Sequence, residues 1–285
     1  MSALNEIKDR IGSVRSTLKI TSAMKLVASS KLHKAEMAIE AVRPYERTLE
    51  QILSVVDSYR SDEDAAPKSA DAPVAVVAIA SNSSLCGAFN SNVIHKVLEV
   101  CAEYPSVKIF PIGRRMAEAM TKAGHAAETD YSDIIGKPDY YKSRTLVREL
   151  RRRFAAGEFS KVVLVYNKYV SSSSQVPVVE PYLPYEKLSD RSDGQQPVND
   201  DYIFEPDPET LAATMIPYLL AMKFHAAVLD SAAAEHAART IAMQTASENA
   251  ERLLSELTLE YNKGRQEKIT SEILDLESGG EGQQA

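Results

Sequence analysis

Tryptophan is absent from this chain of 285 residues, and phenylalanine occurs only 6 times. With alanine abundant beside them, that scarcity favours packed helices over an aromatic-rich β-sandwich core. Two cysteines, Cys86 and Cys101, cannot build a disulfide framework, and they lack the spacing of a metal site. They read as thiols in a reducing compartment. The formal net charge of -7 argues against a general nucleic-acid binder, although base is locally in excess at the amino end. No apolar run approaches the ~20 residues of a membrane span. Met1 leads straight into an amphipathic pattern without a signal-peptide core, so any work at a membrane is expected to be done through partners. The familiar catalytic signatures are missing too: there is no GxGxxG, no GxxxxGK followed by Ser or Thr, no HExxH and no GxSxG.

What is present falls into three regions. In residues 1–60, Leu4, Ile7, Ile11, Val14 and Leu18 alternate three and four apart, the pattern of a coiled-coil seam. The apolar side is expected to continue through Met24, Val27, Leu32, Ala35, Ile39 and Val42, with Pro44 bending the helix or marking a junction. Residues 61–73, "SDEDAAPKSADAP", have the composition of a linker. Residues 74–206 alternate strand and helix. "VAVVAIAS" reads as a strand buried on both faces, followed by a helix over Asn90–Glu103, a strand "VKIFPIG" and a helix over 114–123. A third helix capped by Ser143, the strand "KVVLVYNKYV" and an extended edge "SQVPVVEPYLP" complete a mostly parallel sheet with helices on its faces. Residues 207–276 begin with Asp207 as N-cap and Pro208 at the first helical position. Apolar or small residues then recur in three-four steps from Met215 to Tyr261, and the tail 277–285 is expected to be disordered.

Length decides how these regions combine. About 70 carboxyl-terminal residues make a rod of roughly 105 Å, and about 57 amino-terminal residues one of roughly 85 Å. Neither fits inside a domain ~30 Å across. Each carries an apolar stripe, and the two cover one another. The fold class is therefore α/β plus all-α: a long antiparallel two-helix coiled coil formed by the terminal helices, with a Rossmann-like α/β domain between them. The overhang, about Asn262 to Leu276, has no helical partner in this reading.

One loop invites a chemical reading. "SNSSLCGAFNSN", Ser81 to Asn92, follows the first strand and opens a helix, a place where α/β proteins hold ligands. Cys86 as a nucleophile is the sharp reading. A small residue in a tight turn relieved by Gly87 is favoured, because no histidine close in sequence offers a base. His225 and His236 stand eleven residues apart, which suits solvated or seam positions better than a metal pair. The acid-poor stretch from Lys19 to Lys34 lacks the broad basic face of a membrane-surface helix, and a carboxylate-bearing protein surface is its sharper partner.

Two motifs carry a resemblance. "ITSAMKLVASSKLHKAE", from Ile20 to Glu36, and "AAAEHAARTIAMQTASENAERLLSELTLEYNKGRQEKITSEILDL", from Ala232 to Leu276, resemble the terminal signatures of the gamma subunit of F-type ATP synthases. The resemblance implies a non-enzymatic, cofactor-free rotor shaft of the bacterial type. Its partners would be the alpha and beta subunits around the coiled coil, the epsilon subunit and the membrane ring of c subunits. Its place would be peripheral, on the cytoplasmic face of the cell membrane, with no direct insertion. It further implies beta contacts at Met24, Lys25, Arg239, Gln266 and Thr270, and a foot-domain loop containing Cys86 and Gly87. That loop departs from the family's usual "SDRGLCGGLN": an acid, a base and a glycine are missing from "SNSSLCGAFN". An α/β enzyme or ligand-binding domain with a coiled-coil arm, and a static coiled-coil scaffold, are the competing readings.

Overall fold

Six helices and four strands follow one another along the chain in a computed structural model that describes residues 3–56, 69, 71–125, 129, 131–185 and 203–281. They are α1 (Ala3–Val56), β1 (Val74–Ile79), α2 (Phe89–Glu103), β2 (Val107–Ile112), α3 (Arg114–Lys122), α4 (Ser132–Gly136), α5 (Tyr140–Ala155), β3 (Lys161–Ser171), β4 (Ser174–Leu183) and α6 (Pro208–Glu281). The chain forms two compact units, one of Met1–Ala28 with Thr240–Ala285 and the other of Ser29–Arg239. Most of the expected linker, and most of the loop from Leu183 to Glu205, lie outside the described residues.

In the first unit, segments of α1 and α6 pair side by side. Thr21 Oγ1 lies 2.8 Å from Ser247 Oγ, Lys25 Nζ donates to Gln244 Oε1 at 2.7 Å, and a Cβ on Gly264 would stand 3.2 Å from Leu4 Cδ2. The partners run in opposite order, so the segments are antiparallel. The seam differs from its expected course at one place. Val27 is 58% exposed, whereas Thr21 and Ala28 are buried and Lys25 is half-buried. Following apolar residue type from Leu18 to Met24 and Val27 breaks the three-four alternation. Thr21, Lys25 and Ala28 preserve it, and register outweighs residue type. On α6, the expected seam members Met243, Ser247, Ala250 and Leu257 are buried. Beyond Gly264 every residue from Arg265 to Leu274 is exposed.

The second unit is built on a four-stranded sheet in the order β2-β1-β3-β4. β1 is parallel to β2 and β3, and β4 returns antiparallel beside β3. All six β1 residues are buried, as a continuous apolar run between two helical layers requires. Val74, Val76 and Ala78 pack with Val93 and Val97 of α2 and Met116 and Met120 of α3. Ala75, Val77 and Ile79 point the other way, into a core shared with Leu146 and Leu150 of α5 and Leu219, Leu220 and Phe224 of α6. Gly113, at φ +98°, lets β2 turn into α3, and a Cβ there would strike Ala80 O at 2.1 Å.

Several boundaries move for physical reasons. Asp139, not Ser143, caps α5: its Oδ1 accepts the backbone N–H groups of Tyr141 at 2.8 Å and Lys142 at 3.2 Å. Ser143 sits buried inside the helix. Asp207 caps α6 as expected, accepting from the Thr210 N–H at 2.8 Å. Pro44 lies within α1, which continues to Val56, so it marks no junction. α6 continues past Leu276 to Glu281, and residues 282–285 lie outside the described ones. By length and composition α6 contains a stretch apolar enough to cross a membrane, contrary to expectation. Packing accounts for that composition, because its Leu219, Phe224 and Val228 fill the core beneath the sheet while Leu229, Ala233 and Ala237 meet Leu32, Ala35 and Ile39 of α1.

Candidate functional site

The loop between β1 and α2 is held by side chains that grip its backbone. Ser81 N–H donates to Asn90 Oδ1 at 3.1 Å, which ties the end of β1 to the start of α2. Asn82 Oδ1 accepts the Arg114 N–H at 3.0 Å, and its Nδ2 donates to Ser132 O at 2.7 Å. Cys86 and Phe89 turn inward onto Ala234 and Ala238 of α6. Leu85 turns outward, 58% exposed at a left-handed φ of 64°, and Gly87 follows at φ 58°.

Arg239 closes this arrangement. Its Nη1 donates to Glu235 Oε1 at 2.7 Å, and its Nη2 donates to Ser83 Oγ at 2.9 Å and Ser84 O at 3.3 Å. Both members of the ion pair are buried. Burial pushes the Glu235 carboxyl above its ordinary range, and the Arg239 charge opposes that rise. Three positions where the loop departs from the resembled motif, Asn82, Ser83 and Ser84, make hydrogen bonds within the chain. Asn82 stands where that motif has an acid, and Ser83 and Ser84 where it has a base and a glycine.

Nucleophilic chemistry finds no support here. Among the described residues, Cys86 Sγ meets Ser81 Oγ, Ser83 O and the Asn90 amide, none of which is a general base. Burial raises the thiol pKa, which suppresses the reactive thiolate. His95 is exposed on α2. His225 is buried rather than solvated: its Nδ1 lies 3.1 Å from Ser143 Oγ, its ring meets Tyr140 edge-on, and burial lowers its pKa. Burial also lowers His236, to about 4.

The remaining sequence candidates belong to the first unit. Lys25 is tied to Gln244 and Met24 is half-buried beside it. Gln266 and Thr270 share one exposed turn, where Thr270 Oγ1 donates to Gln266 O at 2.9 Å. Arg239, Cys86 and Gly87 belong together in the second unit. Sequence reasoning missed Glu235, and the signal that was available is its i,i+4 spacing from Arg239.

Comparison with known proteins agrees with this architecture. A family model described as ATP synthase matches residues 3–282. The ATP synthase gamma chain of Phocaeicola vulgatus is 44% identical over 286 residues, covering 98% of this chain and 99% of its own. That of Anaeromyxobacter is 36% identical, with 99% of each chain covered. Among solved structures, the rotor of the Euglena gracilis mitochondrial ATP synthase aligns with a TM-score of 0.67 at 20% identity, over 93% of this chain and 98% of the other. That likeness concerns the fold. On the family model and the near-full-length identity, the chain belongs to the ATP synthase gamma chain family.

Proposed function

We infer that the chain is the central-stalk rotor subunit of a bacterial ATP synthase. It is part of a membrane-associated complex and works as a peripheral, non-catalytic shaft on the cytoplasmic face. Its partners are the alpha/beta head, the epsilon subunit and the c-ring, whose ion-driven rotation it carries to the head. ATP chemistry belongs to the head, and the shaft biases each catalytic site in turn by contacting the sites unequally. An equilibrium among conformers shifts only by such differential contact.

The observation that carries this reading is the surface of the first unit. Its seam is narrow and partly polar at Thr21, Lys25 and Ser247, while Ile20, Leu26, Val27 and Leu259 stand outward and exposed. Apolar side chains left exposed on a stiff helix pair are contact points for other proteins, as a shaft turning inside a ring requires. We assign the beta contacts to Met24 and Lys25 and to the Gln266–Thr270 turn. Arg239 supports such contacts from within, by fixing the loop that presents Leu85. An enzyme with a coiled-coil arm is not favoured, since no catalytic constellation accompanies the fold among the described residues. The test is a reversible disulfide in the assembled complex between Leu26→Cys, whose native side chain is 69% exposed, and a cysteine placed on beta. Link formation should cut ATP hydrolysis at least about tenfold, a barrier increase of about 1.4 kcal/mol, and reduction should restore it. Undiminished hydrolysis with the link formed would refute coupling through this chain.

A further inference from the structure

Helix α5 carries six basic side chains: Lys142, Arg144, Arg148, Arg151, Arg152 and Arg153. Three of them are neutralised by carboxylates. Lys142 pairs with Asp133 at 2.6 Å, Arg152 with Glu149 at 2.8 Å and Arg153 with Glu158 at 2.9 Å. The other three, Arg144, Arg148 and Arg151, have no carboxylate partner among the described residues, and these are the three that line one cleft of about 130 Å³ with Val147, Pro217 and Tyr218. Their i, i+4, i+7 spacing puts the guanidinium groups on one helix face over about 10 Å. Arg144 lies over the Tyr218 ring, 5.3 Å from its centroid, a cation–π contact that holds its guanidinium at the edge of the cleft. Arg151 is half-buried without a counter-charge, and burial works against its charged form. An unpaired, partly desolvated cation is a cost that an incoming anion removes.

We propose that this cleft binds a phosphate group, gripped by Arg148 and Arg151 and bordered by Arg144 over the Tyr218 ring. The cleft offers arginine and no lysine, so it presents planar forks that match phosphate oxygens two at a time. Its concavity and volume suit a compact oxyanion rather than a flat protein surface. Nothing in this site depends on rotation. Free diphosphate and a phospholipid headgroup present the same chemistry.

The full-length chain is titrated by calorimetry with inorganic phosphate, diphosphate and citrate, and tested for flotation with phosphatidylglycerol and phosphatidylcholine vesicles. Saturable binding of phosphate or diphosphate identifies a free phosphate as the ligand. Binding confined to phosphatidylglycerol vesicles identifies the headgroup. In either case R148A/R151A should weaken binding at least tenfold, since charged hydrogen bonds are lost, and R148K/R151K should fall between that variant and the native chain. K142A/R152A removes the same charge from the same helix outside the cleft and should stay within about twofold of the native affinity at about 0.15 M salt, where distant surface charges are largely screened. The proposal is overturned by no binding to any phosphate probe, by equal weakening in K142A/R152A, or by citrate binding as tightly as diphosphate. Melting curves of each variant separate lost binding from lost folding.

Discussion

Replacing Arg239 with methionine tests whether this side chain works inside the chain or on its surface. A solvated helix arginine contributes within about ±0.5 kcal/mol. Here the guanidinium is 8% exposed, sits 2.7 Å from a buried Glu235 and holds Ser83 and Ser84 of the β1–α2 loop. Removing one member of a buried pair leaves the other uncompensated, which costs about 3–5 kcal/mol. For a unit of this size that is a fall in melting temperature of about 10 °C. The pH dependence has a definite sign. Burial already raises the Glu235 carboxyl, and Arg239 is the largest influence holding it down. Without Arg239 the folded state binds a proton at Glu235 more readily than the unfolded state does. Stability is then present at low pH and lost as pH rises through the folded value. R239M should therefore melt closer to the native protein at pH 5.5 than at pH 8, read by near-ultraviolet circular dichroism of the tyrosines. E235Q/R239M, which removes the orphaned charge, should recover at least half of the loss. A melting point for R239M within 2 °C of native at pH 8, or a double variant weaker than the single one, would sink the in-chain role.

Two further outcomes follow from the same packing. Gly113→Ala forces a Cβ to within 2.1 Å of Ala80 O at φ +98°, combining a backbone clash with a left-handed conformation. Strain and overpacking together should cost about 3 kcal/mol, and a variant melting within 1 °C of native would contradict the tight β2–α3 turn. Cys86 is 1% exposed with its thiol pKa raised by burial. A thiol reagent should label it at least about tenfold more slowly in the native chain than in urea, and equal rates would show the loop open.

The sheet, the two long helices and their antiparallel pairing were legible because each rests on a repeated signal. β1 shows it as an unbroken apolar run, and α6 as three-four steps that continue for many turns. Positions where a polar residue occupies an apolar register were harder to read. Thr21 and Lys25 lie on the seam, yet residue type draws the eye to Met24 and Val27, and Val27 proves to be solvated. Ser143 resembles a cap by type, but Asp139 has the extended backbone that a cap needs, at φ -139° and ψ 129°. Arg239 shows where local reading ends. Its i,i+4 acid gives the same signal as Lys268 and Glu272, a pair whose side chains are both 60% exposed. What separates a buried latch from a surface pair is the loop at Ser83 and Ser84, distant in sequence and brought there by β1. Burial is a property of the tertiary neighbour, so removing one member of an acid–base pair at this spacing costs almost nothing on one stretch of α6 and several kcal/mol on another.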